Sequence, residues 1–484
     1  MKYRRSGAWL SVVALLSACG GGGGGTASPP RTEPIASPAP TPSPSPGPTA
    51  ACSLRARQDW VAAQMREWYL FPETLPANLD PAPFTTVQAY LDALTATARA
   101  QRRDRFFTFI TSIADENAFF NSGSTAGFGI RLSFDTPGRR LFIAEAFEGA
   151  PALAAGIDRG AEIVAIGTTE GNLRTVADIF AAEGGQGVSA ALGPSTPGTS
   201  RVLRVTDAAG TRNLTVTKAD FELLPVSPRY GARIIEEGGK RIGYVNLRTF
   251  INTADPALRN AFASFRAQSI TEVAVDFRYN GGGLVSIANL TGDLLGANRN
   301  PAEVFSSTLF RPEKSSNNST RNFRPQPESV ASTKIAFIGT GASASASELV
   351  INSFIPYLRA NAALIGSNTF GKPVGQIALD RAECDDRLRV VAFKTVNAAG
   401  QGDYFDGLAG KVEASCQAGD DLGRQLGDPQ EASTRAALDF IAGRSCTRIS
   451  SGIGTQAARP SEPRLEPLMP ERPSTAQREV PGLF

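Results

Sequence analysis

The chain has 484 residues and a formal net charge of +3. It contains no histidine at all, which excludes a Ser-His-Asp triad and any histidine-ligated metal site. The charge is small and dispersed, so nothing points to nucleic acid, and the length accommodates two or three domains.

Taken in order, Lys2, Arg4 and Arg5 precede an apolar run, Ala8–Leu16, that ends in Leu16-Ser-Ala-Cys19. This is signal-peptide layout, too short to span a bilayer. Its ending resembles the lipobox of bacterial lipoproteins, in which the cysteine is lipidated and becomes the mature N-terminus. The alternative is an ordinary secretory signal with an incidental cysteine. Residues 1–19 are therefore expected to be a lipoprotein signal peptide, with a lipid anchor at Cys19. Gly20 follows the cysteine where Asp would direct otherwise, so the resemblance implies a periplasmic protein held at the outer membrane. Residues 20–51 form a Gly run and then a segment with nine prolines between Pro29 and Pro48, which reads as a disordered tether.

Four cysteines follow Cys19, namely Cys52, Cys384, Cys416 and Cys446. An even number in an exported chain suggests two disulfides. Three pairings are open, and Cys384–Cys416 with Cys52–Cys446 is the expected set.

Residues 52–120 carry helical patterns, with Trp60, Met65, Trp68 and Tyr69 near one face and Val87, Tyr90, Leu91 and Leu94 near another. They predict a small helical domain without visible chemistry. Residues 124–221 change to short strands with glycine punctuation. The segments Gly127-Phe-Gly-Ile130, Gly149–Ile157 and Arg159–Gly167 together resemble a PDZ domain. Gly127, Phe128, Gly129 and Ile130 would then be its carboxylate-binding loop, whose backbone N–H groups converge on a peptide end beside a strand edge.

From about residue 222 to 446 the pattern is α/β. Arg241–Leu247, Glu272–Phe277, Lys334–Thr340 and Ala363–Gly366 read as strands. Asp276-Phe-Arg-Tyr-Asn-Gly-Gly-Gly283 follows the second of them, and its glycines free N–H groups to face a substrate. Gly341-Ala-Ser-Ala-Ser-Ala-Ser-Glu-Leu-Val350 follows the third, and Leu349, Val350, Phe354 and Leu358 place a helix start near Ser345–Ser347. A serine there is either a plain N-cap or a hydroxyl beside oxyanion-stabilising N–H groups. Lys372 stands in Thr369-Phe-Gly-Lys-Pro-Val-Gly-Gln376. With no histidine available, lysine is the substitute base.

The coincidence of D-x-R-x-N-G-G-G, S-A-S-A-S-E and T-F-G-K resembles the carboxyl-terminal processing (tail-specific) serine proteases, over residues 124 to 425. The resemblance implies Ser347 as nucleophile, Lys372 as general base and Gln376 as its partner. It also implies an oxyanion hole from the N–H of Glu348 and one from Gly281–Gly283, with Gly282 the expected donor. The implied fold is α/β: a ClpP/crotonase-like catalytic core, an inserted or preceding PDZ domain that is mostly β, and the N-terminal helical domain. The implied activity is a serine endopeptidase that selects protein substrates by apolar C-terminal tails, needing no metal or organic cofactor. A non-catalytic PDZ-bearing scaffold on the same fold is the alternative, although Ser347, Lys372 and Gln376 together argue against it. Two departures stand out: Tyr279, where the family often has a small residue, could narrow the approach to the glycines, and Pro356 should kink or shorten the helix.

Residues 447–484 are rich in Pro, Arg, Ser and Glu, and a disordered tail is expected. It ends Val480-Pro-Gly-Leu-Phe484, the kind of end a PDZ loop accepts. Apolar C-terminal residues are common and Pro481 limits strand pairing, which favours an inert tail over a self-ligand.

Overall fold

The computed structural model describes residues 50–450 and 465–484. Cys19, the leader around it and nearly all of the 20–51 tether lie outside the described residues. Among the described residues no helix is long and apolar enough to cross a membrane.

The four apolar runs of the α/β region form neighbouring parallel strands, Lys240–Asn246, Glu272–Asp276, Lys334–Gly339 and Ala362–Gly366. Ala414–Gln417 continues the sheet in parallel, and Ala232–Glu237 adds an antiparallel edge. Such strands are apolar throughout because both faces are covered. Val273, Val275, Ile335 and Phe337 point to helices Ala254–Ala267, Val285–Leu295 and Ala346–Leu358. The alternate residues Ala274, Ala336 and Ile338 point to helix Ala432–Ile441. Loops leaving the C-terminal ends of these strands are thereby anchored to a core packed on both sides.

A second, antiparallel sheet joins Phe109–Ser112, Asp386–Val396, Val304–Phe310 and Ser319–Asn322, with Val374–Arg381 alongside Asp386–Val396. The N-terminal helices Leu54–Trp68 and Val87–Leu94 pack on it. Met65, Tyr69 and Leu91 share one apolar cluster with Val374, Leu388 and Val390. The 52–120 segment is thus welded to this antiparallel sheet, and it contributes a strand as well as helices.

Residues 124–222 build a third sheet from Ile130–Asp135, Arg140–Ala146, Glu162–Gly167, Ser200–Asp207 and Gly210–Thr217, covered by helix Val176–Leu192. The edge strand Ile130–Asp135 also pairs antiparallel with Leu465–Pro467.

Three expectations are corrected here. The tail is ordered over residues 465–484: a capping box at Ser474 opens the helix Thr475–Glu479, and Val480, Leu483 and Phe484 are buried. Average composition misled because these few apolar residues fall into apolar clusters on the body, and their burial offsets the ordering entropy. The disulfides are Cys52–Cys384 and Cys416–Cys446, not Cys384–Cys416 and Cys52–Cys446. Cys384 lies in the turn between two strands of the antiparallel sheet, against the start of the first long helix. Cys416 ends the parallel sheet, where Gln417 N–H donates to Thr447 O at 2.7 Å. Finally, Pro356 sits in the last turn of a continuous helix that ends at Leu358. The Asn352 carbonyl, which a proline at 356 cannot serve, accepts from Asn397 Nδ2 at 3.2 Å instead.

Candidate active site

The glycine loop after Glu272–Asp276 is held from beneath by charge. Arg278 is fully buried and pairs with Asp276 at 2.7 Å and Glu431 at 2.8 Å. Buried ions of opposite sign in this geometry fix position more surely than they add stability. Tyr279 adopts a left-handed φ of 61°, and its hydroxyl is engaged by Asp420 and Arg159. Asn280 donates to Leu247 O at 2.7 Å and accepts from Gly282 N–H at 2.9 Å. Gly282 has φ 124°, and a Cβ there would lie 2.7 Å from Ser345 Cβ. The loop and the serine turn are therefore in contact.

The serine turn runs from Thr340 into helix Ala346–Leu358. Ser343 is buried and structural: its hydroxyl donates to Phe277 O at 2.7 Å. Ser347 is equally buried inside the first helical turn, and its hydroxyl donates to Asn280 O at 3.0 Å. Ser345 differs from both. It is the half-buried one of the three, and it holds φ 54° and ψ −112° as the N-cap. A non-glycine residue in that region stores strain, of order 1–3 kcal/mol. Here the surrounding bonds enforce it, since Ser345 and Glu348 form a reciprocal capping box.

Glu348 does more than cap. Its buried carboxylate accepts from Ser345 N–H at 3.0 Å, Thr369 Oγ1 at 2.6 Å, Gly371 N–H at 2.7 Å and Lys372 N–H at 2.8 Å. Burial pushes this carboxyl up, and the donors oppose that. One side chain thereby ties the serine turn to the lysine loop. Arg105 adds a clamp, donating to Phe370 O at 2.7 Å.

Lys372 Nζ lies 3.0 Å from Gln376 Oε1 and 5.1 Å from the centre of the Phe107 ring. A bulge between Gly375 and Gln376 re-aims the glutamine, and Gln376 Nε2 donates to Phe107 O. Burial pushes the Lys372 ammonium below the usual lysine range, with the Glu479 carboxylate the strongest opposing influence. The lysine and glutamine named from sequence are thus brought together.

The other site residues fall differently. Gly282 N–H donates to Asn280 Oδ1, and Glu348 N–H to Ser345 Oγ, so both expected oxyanion donors already have partners within the protein. Gly281 N–H is the loop donor that meets a peptide carbonyl, that of Glu479, at 2.9 Å. Sequence reasoning missed the Glu348 carboxylate and passed over Gly281 and Ser345 for their neighbours Gly282 and Ser347. The pattern Ser345-x-x-Glu348 is itself a capping-box signature, and would have narrowed the helix start near Ser345–Ser347 to Ser345.

Gly127, Phe128, Gly129 and Ile130 form a second donor loop. Gly129 and Ile130 donate their N–H to the Phe484 oxygen at 2.9 and 3.2 Å, and Phe484 N–H returns to Ile130 O at 2.9 Å. A Cβ on Gly127 would stand 2.7 Å from the Phe484 carbonyl carbon. Phe128 is buried below the loop, its ring 4.7 Å from the Lys218 ammonium. Beside the Gly281 loop opens a cleft of about 1360 Å³, lined among others by Gly281, Ala344, Lys372, Met469 and Glu479. Among the described residues no cluster of acids and cysteines could hold a metal ion.

Residues 241–408 match the family model for peptidase family S41, and residues 56–109 match the peptidase S41 N-terminal domain. A carboxyl-terminal-processing peptidase 2 of Arabidopsis thaliana chloroplasts is 30% identical over 170 residues, 33% of this chain and 30% of the relative. A carboxyl-terminal-processing protease of Picosynechococcus is 25% identical over 256 residues, 52% of this chain and 55% of the relative. The chain thus spans between about a third and about half of these relatives. A Bacteroides fragilis crystal structure, provisionally described as an S41 protease, shares the fold with a TM-score of 0.61 at 23% identity, covering 79% of this chain and 97% of that one. The family models and the relatives support peptidase family S41 for this chain.

Proposed function

With peptidase family S41 as the premise, we propose that this protein is a serine endopeptidase with a Ser-Lys mechanism and that Ser345 is its nucleophile. The supporting observation is the Glu348 clasp. It joins a strained, half-buried Ser345 to a loop whose lysine is likewise half-buried, held by a neutral glutamine amide and inclined to lose its proton. Neutral Lys372 takes the Ser345 hydroxyl proton as Oγ attacks the substrate carbonyl carbon. The oxyanion is received by Gly281 N–H and by Ala346 N–H, the donor next in chain to the nucleophile. The Lys372 ammonium then protonates the leaving amine, and water, deprotonated by the same lysine, releases the acyl group. Gln376 orients the amine without adding a charge that would hold it protonated.

Substrate selection belongs to the Gly127–Ile130 loop and the edge of Ile130–Asp135, read as a PDZ-like groove for apolar peptide ends. Export and the lipid anchor at Cys19 belong to the same reading, supported by two disulfides suited to an oxidising compartment.

The test is hydrolysis of an unstructured protein, with a fluorophosphonate probe mapped by peptide mass spectrometry. Label should sit on Ser345, and Ser345→Ala should lose both label and activity while Ser347→Ala keeps measurable amounts of each. Label and activity that depend on Ser347 instead would return the role to that serine. A chain that never labels and never hydrolyses would leave the scaffold reading.

A further inference from the structure

The last residues of the chain touch both loops at once. Phe484 pairs with Ile130, and Leu132 N–H donates to Gly482 O at 2.7 Å, with Arg131 and Leu483 bridged antiparallel between them. Further along the same edge strand, Asp135, Phe134 and Ser133 pair with Leu465, Glu466 and Pro467. An edge strand left bare is a template for any extended chain; here this chain's own tail covers it at both ends. The Phe484 side chain is 2% exposed and lies in the apolar cluster with Ile130 and Leu132.

Five residues before Phe484, the Glu479 carbonyl takes the Gly281 N–H. The approach is close enough that a Cβ on Gly281 would meet Arg478 O at 2.3 Å and Glu479 O at 3.1 Å. One buried guanidinium connects the two events: Arg131 donates to Tyr279 O at 2.7 Å, in the glycine loop, and to Pro481 O at 3.0 Å, in the tail.

The segment at the cleft is not presented as a substrate would be. Thr475–Glu479 is a helical turn, Val480 N–H closes onto Ala476 O at 2.8 Å, and Leu483 N–H turns back to Val480 O at 3.1 Å. A protease needs an extended bond at its nucleophile, and a helical turn withholds one. The Glu479 carboxyl, itself buried, also faces Lys372 and favours the ammonium, the form that cannot act as base.

We propose that residues 474–484 are a built-in plug, a cis ligand that fills the peptide groove and the Gly281 donor together and must leave before a substrate can enter. This rests on the protease reading above and adds a control to it. It also sets the competitor: a peptide ending in bulky apolar residues that offers the same main-chain pairing to Ile130–Asp135. With an effective concentration of about 1 mM, a groove dissociation constant about tenfold lower would leave closed molecules outnumbering open ones about tenfold.

The experiment uses the full chain carrying Leu483→Asp and Phe484→Asp, with Phe484→Ala as a milder variant should the first fold poorly. Against an unstructured protein substrate, KM should fall about tenfold in the double variant and by less in Phe484→Ala. A fluorescent peptide of the sequence Val480–Phe484, with a free carboxylate, should bind the double variant about tenfold more tightly than the wild type. Equal KM together with equal peptide binding overturns the plug. So does intact-mass evidence that the wild type removes its last five residues, because the tail would then be a substrate. Peptide binding that differs as expected, in chains that hydrolyse nothing, keeps the plug and removes the protease reading instead.

Discussion

Two glycine loops in this molecule perform the same elementary act, presenting bare backbone N–H groups to a carbonyl oxygen, yet their surroundings differ. The Gly127–Ile130 loop sits over an apolar cluster that includes Phe128, Ile130 and Leu132. Its partners are other backbone atoms along a strand edge, so it suits recognition. The loop at Gly281 is fixed by the Arg278 ion network and the Asn280 amide, and it abuts Ser345. Donors preorganised that rigidly suit a charge that appears during reaction. Apolar support makes a site for holding; polar over-determination makes a site for chemistry.

The sharpest way to break that contrast is to remove the base. Lys372→Ala should lower kcat/KM by at least about 1,000-fold, as loss of the proton acceptor strands the serine. Binding of the Val480–Phe484 peptide to the Asp-substituted tail variant should persist in that background, as measured by fluorescence anisotropy. Loss of both together would mean the loops are not separable.

A smaller effect compares one added methyl in each loop. Gly282→Ala forces a Cβ within 2.7 Å of Ser345 Cβ at a φ of 124°. The expected result is a kcat lowered about 100-fold, the lower end of the loss for an oxyanion donor. Gly127→Ala intrudes on the ligand's terminal carbonyl, so its expected effect is a peptide affinity reduced about tenfold, read by the same anisotropy titration. Should Gly282→Ala alter KM alone, the chemical role of its loop would fall.

The gentlest probe is pH. The lysine must be neutral to act, and burial lowers its pKa. Activity should therefore rise with pH and reach its plateau below the range of an exposed lysine. The Glu479 carboxylate raises that pKa, so Glu479→Gln should shift the rising limb of kcat/KM towards lower pH. Arg478, Asp104 and Arg389 also act on Lys372 and are left in place. A limb that does not move would show that Glu479 leaves the active population with the tail.

Much of the fold was legible because the parallel strands announce themselves as short apolar runs, and all four fell where the runs lie. Lys372 and Gln376 were legible too, their spacing of four being short enough for one loop and its strand to join them. The choice among the serines was harder, because three hydroxyls two residues apart look alike until the helix boundary is known. The capping box distinguishes them, putting Ser347 inside the helix and Ser345 at its strained threshold, and that difference is what the proposal for Ser345 draws on. The disulfide pairing was beyond reach, since it depends on which distant loops the two sheets bring together. The tail was misread because averaging over 38 residues hides the four or five that bind.

Arg131 and its tail partner Pro481 are separated by 350 positions, and that distance orders events in time. Docking of the final residues onto the groove is accordingly the expected closing step of folding. That step gathers contacts of the longest sequence separation in the molecule, the kind that form last because their loop-closure entropy is largest. A refolding experiment should resolve it as a late phase, visible in peptide exclusion from the groove after the far-ultraviolet signal of the body has settled. Freshly refolded protein should then exclude the peptide less well than fully settled protein.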